Sequence, residues 1–169
     1  MSEDQGYLNF DAPDTRQKVI AELRKETEKR AHDAQGTHCP VCSKFVKVYR
    51  RKLHNEMARF LIKLVHAYKR YPRYYTMREL FPGNNKSASD GSYLVHWGLV
   101  ERSDATNEAQ APAGSYRPTD KGLRFAHNNE FVPTHVHLLN NEVVGWSDRQ
   151  TNIRTALGSK FNYEELMKS

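Results

Sequence analysis

Between Leu53 and Tyr71 the side chains of Met57, Phe60, Leu61, Leu64, Val65 and Tyr68 recur at intervals of three and four residues. That period places them on one face of an α-helix, giving a buried stripe, and Pro72 ends the helix by pushing the residue before it out of the helical region. The chain after it reads in short elements. Thr76-Met-Arg-Glu79 is a capping-box sequence that opens a brief helix through Leu80 and Phe81, stopped by Pro82-Gly83. Asn84, Asn85, Lys86 and Ser87 make a polar turn. Ser89 or Asp90 then caps a third helix to Trp97, with Gly98 as its left-handed terminator. Leu99–Arg102 reads as a strand, Ser103–Gly114 as an exposed excursion, and Tyr116–Thr119 as the returning strand. Thr119 caps a further helix from Asp120 to about His127.

On either side of this block the signals are weaker. Asp14, with Gln17 three residues on, opens a helix that Gly36 closes. Its apolar stripe, Val19, Ile20, Leu23 and Ala31, is narrow, so the helix is expected to lie across its own domain or a second copy. Downstream, a strand over about Phe131–Leu139 turns at Asn140-Asn141 and returns through Glu142–Trp146. Ser147 or Asp148 caps a short helix over Thr151–Leu157, ended by Gly158, and Phe161–Met167 makes an amphipathic close. The fold class is α+β, in four segments: an N-terminal helix (1–36), a CxxC knuckle and basic segment (37–52), a helical and two-stranded body (53–127), and a β-hairpin with a tail (128–169).

Charge is concentrated. From Lys44 to Arg78 there are eleven Lys and Arg against the single acid Glu56, a local +10 in a chain of net +6, so the remainder carries −4. Phe45, Tyr49, Phe60, Tyr68, Tyr71, Tyr74 and Tyr75 are interleaved with these cations. A positive field with flat side chains suits phosphate contact and stacking; a solvated basic helix with core aromatics has the same composition. The 169 residues hold no run near the roughly 18 apolar residues of a membrane span, and Met1–Phe10 lacks the pattern of a secretory signal. Two cysteines three apart argue against a disulfide scaffold, and a cytoplasmic setting is expected.

The order helix, short helix, helix, strand, loop, strand resembles the winged helix-turn-helix. Tyr93-Leu-Val-His-Trp-Gly-Leu-Val-Glu-Arg102, followed by Ser115-Tyr-Arg-Pro-Thr-Asp-Lys-Gly-Leu-Arg124, is similar to the end of the recognition helix and the wing of MarR- and PadR-like regulators. Leu94, Gly98, Leu99, Val100, Thr119, Lys121 and Gly122 match that pattern, and the likeness covers about residues 53 to 127. The whole chain, with its Cys-Pro-Val-Cys lead-in, also resembles uncharacterised small phage-encoded proteins, a likeness that implies no activity. The winged-helix resemblance implies that the third helix enters the major groove of double-stranded DNA while the wing approaches the minor groove. With Leu94 inward, helical spacing turns Lys86, Ser87, Ser89, Tyr93 and His96 outward, and Arg102 is the cation nearest the wing loop, which carries Asp104 and Glu108. Most backbone contact is therefore expected from Lys47, Arg50, Arg51 and Lys52, with modest base reading. Ser89 as a plain cap and Tyr93 as a surface-packed aromatic are the alternatives.

Cys39-Pro-Val-Cys42 is half of a zinc knuckle, two thiolates able to share one metal through a tight turn. His135 and His137 fall on one side of a strand and could complete a structural zinc ribbon if the hairpin packs on the knuckle, with His38 and His127 as further candidates. A redox pair and plain buried thiols are the alternatives. No phosphate-binding glycine loop, nucleophile triad or paired carboxylate stands out, so an enzyme is not expected. The sequence thus points to a cytoplasmic DNA-binding regulator of phage or mobile-element type in a bacterial host, dimeric if it follows the families it resembles. The alternative is a module that engages a host protein through the same scaffold.

Overall fold

In the computed structural model, which describes residues 13–83, 86–103 and 111–168, the chain divides into two compact units, residues 1–49 and 50–169.

The first unit holds α1 (Pro13–Ala31), β1 (Thr37–His38) and β2 (Phe45–Val46). The helix stops five residues before Gly36: the Ala31 carbonyl accepts from the Val48 amide, and a turn through Asp33 to Gly36 leads into β1. The side chain of the expected cap, Asp14, lies outside the described residues. Val19 and Ile20 are exposed. β1 and β2 pair antiparallel, Thr37 opposite Val46 and His38 opposite Phe45.

The second unit is organised by α2 (Asn55–Arg70), whose Met57, Phe60, Leu61, Leu64 and Val65 are buried as the periodicity requires. Against it pack α3 (Met77–Leu80), a 3-10 helix (Lys86–Trp97), β6 (Ser115–Pro118) and α4 (Asp120–Ala126), with β4 (Tyr75–Thr76) and β5 (Val100–Arg102) beside β6. The capping box is formed: the Thr76 hydroxyl accepts from the Glu79 amide, and the Glu79 carboxylate accepts from the Thr76 amide. These bonds, with Arg73, hold the Glu79 carboxyl below its ordinary range. Thr119 caps α4 through the Gly122 amide. β4, β6 and β5 form an antiparallel sheet in that order, Tyr75 opposite Tyr116 and Arg102 opposite Tyr116 from the other side. The two-residue β4 had no sequence signature.

Two departures matter. The third helix is 3-10 rather than α, and it begins at Lys86. Its Ser, Gly and Asp content favours turns over α-helix, and Gly91 lies so close to the Phe60 ring that a Cβ there would come within 2.5 Å. The basic tetrapeptide is also a strand, β3 (Tyr49–Lys52). It is one edge of a second sheet ordered β3-β8-β9, with β8 (His135–Leu139) and β9 (Glu142–Trp146). The hairpin turns at Asn140 and Asn141, both at positive φ. β7 (Val132–Pro133) pairs instead with β10 (Gln150–Thr151). Then follow α5 (Ile153–Leu157) and α6 (Tyr163–Lys168). The cap of α5 is Asn152, not Ser147 or Asp148.

Val136, Leu138, Ile153 and Leu157 join α2, Leu94, Trp97, Leu99 and Phe125 in a single core, so the hairpin and tail belong to the body. No helix among the described residues is long and apolar enough to cross a membrane.

Candidate nucleic-acid interface

Successive side chains of a strand alternate, so Arg50 and Lys52 share one side of β3 and Arg51 takes the other. On β8 the same rule buries Val136 and Leu138 and leaves His135 and His137 on the opposite side, half-buried. Lys52, His135 and Arg149 line one cavity, and the charges of Arg50, Lys52, His137 and Arg149 act on the His135 ring. Burial first, and then these positive neighbours, push the imidazole below its ordinary pKa, so it is neutral near pH 7. β3 and β8 contain no acid, and Glu142 sits at the turn end of β9. Arg50, Lys52 and Arg149, three positive charges near His135, have no ion-pair partner among the described residues.

Arg51, on the inner side, is spent on the 3-10 helix. Its guanidinium donates to the Tyr93 hydroxyl at 3.3 Å and lies 4.8 Å from the centre of the Tyr93 ring. Tyr93 is therefore tied to β3. His96 is half-buried and bonded to Asn141 of the hairpin turn; burial lowers its pKa and that bond works against it. Asp90 pairs with His54, and Trp97 is buried, donating to the Pro133 carbonyl and meeting the Trp146 ring edge-on. The 3-10 helix thus has α2 on one side and residues of the second sheet on another, with Val95 exposed at 39%. The side chains of Lys86, Ser87 and Ser89 lie outside the described residues, as do Asp104 and Glu108 of the segment after β5. Arg102 is exposed on β5.

The rest of the cationic stretch is dispersed. Lys47, in the first unit, donates to the Ala34 carbonyl. Arg59 pairs with Glu56 and lies over Phe81 and Phe161, Lys63 over Phe81, and Arg73 pairs with Glu79. Phe60 and Tyr75 are core residues, so of the interleaved aromatics only Phe45, Tyr49 and Tyr71 are largely exposed. Arg149 was not foreseen: it follows β9 by three residues and has no sequence signal before the pairing of β7 with β10 is known.

The cysteine turn is ordered by the Cys39 amide donating to the Lys44 carbonyl and the Ser43 amide to the Cys39 carbonyl, with Ser43 at φ +57. The amides of Cys42 and Val41 and the Cys42 thiol hold the Cys39 thiol below its ordinary pKa. Among the described residues no three His, Cys, Asp or Glu side chains are grouped to hold a metal. β8, which carries His135 and His137, is the hydrogen-bonded neighbour of β3. No known protein family, curated protein or solved structure matches this chain.

Proposed function

We propose that the chain is a cytoplasmic DNA-binding regulator on a winged-helix scaffold that grips the phosphate backbone chiefly through the β3-β8-β9 sheet. The order α2, β4, α3, 3-10 helix, β5, β6 and the sheet order β4-β6-β5 support the scaffold. The observation that carries the reading is Lys52 and Arg149 on one cavity wall, with Arg50 also acting on His135, none of the three with an ion-pair partner among the described residues. A cluster of uncompensated cations costs self-repulsion in the free protein, and a polyanion relieves it. Because Tyr93 and His96 are engaged within the fold, sequence discrimination is weak. The third helix contributes position more than base reading.

Binding to a fluorescent random duplex should fall steeply with salt. Changing Arg50 and Lys52 together to alanine should reduce the logarithmic salt slope by about two. An unchanged slope removes β3 from the interface. No salt-dependent duplex binding at all would overturn the DNA reading in favour of a host protein with an acidic surface as the partner.

Cys39 and Cys42 fit two corners of a tetrahedral zinc site, and the lowered Cys39 thiol favours the thiolate that a metal needs. We infer structural zinc on this turn. Protein purified without chelator should then carry stoichiometric zinc. Zinc-free protein whose melting is untouched by Cys39→Ser would sink the inference.

A further inference from the structure

A cavity of about 380 Å³ opens in the second unit between the end of β3, the start of β8 and the segment from Arg149 to Lys160. Its chemistry is one-sided. Lys52, His54, His135, Arg149 and Lys160 line it, and no acid does. Two of the five are already held, His54 by Asp90 and Lys160 by Glu56. Burial pushes the Glu56 carboxyl up, but the Lys160 bond and charge, with Arg59, bring it below its ordinary range, so that pair stays ionised. Lys52 and Arg149 remain without ion-pair partners among the described residues, and the His135 Nδ1 is buried with no hydrogen-bond partner.

Lys52 and Arg149, two cations on one cavity wall without ion-pair partners among the described residues, favour an anionic ligand. Arginine and lysine together suit a phosphate, which accepts several bonds and carries more than one charge. The volume is in the range of small-molecule sites and exceeds what a lone inorganic anion would fill. The Thr155 side chain adds a hydroxyl to the wall.

We propose that this cavity is a binding site for a small phosphomonoester of mononucleotide size, its phosphate held by Lys52 and Arg149 and a further polar atom meeting His135. The site stands on the cavity alone and does not depend on duplex binding.

Titration calorimetry of the full-length protein with AMP, inorganic phosphate and adenosine tests it. AMP should bind saturably below about 1 mM, phosphate more weakly, and adenosine not at all. Arg149→Gln and Lys52→Gln, both at exposed positions and checked by thermal melting, should each weaken AMP by about tenfold. Absence of saturable AMP binding overturns the proposal. So does adenosine binding as well as AMP, or AMP affinity unchanged in both variants. AMP binding without duplex affinity would leave this site standing and remove the DNA reading alone.

Discussion

Trp97→Ala is expected to lose about 4 kcal/mol of unfolding free energy, read from urea denaturation followed by far-ultraviolet circular dichroism. The side chain is only 2% exposed, and it fastens the end of the 3-10 helix to two later parts of the chain. Its indole nitrogen donates to the Pro133 carbonyl at 2.7 Å, at the end of β7, and its ring meets Trp146 of β9 at a centroid distance of 6.2 Å. Truncation leaves a cavity in the core and also strips the Pro133 carbonyl of its donor, so both penalties fall together. Trp97→Phe separates them: it keeps much of the volume and loses the bond, and it should cost about 1–3 kcal/mol. A loss of under about 1 kcal/mol for the alanine variant would mean that the core closes over the gap and that Trp97 is not what joins the hairpin to the body.

The same tryptophan shows where sequence reading works and where it stops. The helical period placed Leu94 inward, and Leu94 is buried; the period also put Tyr93 and His96 outward, toward a duplex. Period describes one element against one core. It carries no information about a second sheet arriving from residues 40 or more positions away, which is what occupies Tyr93 and His96 here. Local chemistry was legible where it is complete within a few residues. The Thr76–Glu79 box, the Thr119 cap and the Asn140-Asn141 turn each satisfy their own backbone groups, and each is present.

β3 was not legible. Tyr-Arg-Arg-Lys has no apolar alternation, and all four residues are exposed, so the strand exists through its pairing with β8 rather than through a buried face. As an edge strand it is guarded by its charge, since lysine and arginine on an edge oppose pairing with other chains. The candidate site inherits this limit. Arg50 and Lys52 were found as charges, whereas their company with His135 and Arg149 is a product of topology.

Gly122→Ala should be as damaging as any single methyl added to this chain, costing about 3 kcal/mol or more. The first turn of α4 collects three consecutive carbonyls where the 3-10 helix gives way to β5. Lys121 donates to the Trp97 carbonyl, the Thr119 hydroxyl to that of Gly98, and the Thr119 amide to that of Leu99. The Thr119 hydroxyl meanwhile accepts from the Gly122 amide. This clasp brings the Leu99 carbonyl so near Gly122 that a Cβ would stand 1.9 Å from its oxygen and 2.9 Å from its carbon, both backbone atoms with no rotamer to yield. Relief therefore requires α4 to move away, which opens all three bonds. Gly98→Ala is the matched control. Gly98 sits at φ +66 with nothing within 4 Å of an added Cβ, so alanine there meets only backbone strain of about 1–2 kcal/mol. If the two variants melt alike, the clasp is loose in solution and α4 is not held against the β5–β6 pair by its first turn. If Gly122→Ala melts far lower, the close approach at Leu99 is what fixes α4 against the β5–β6 pair.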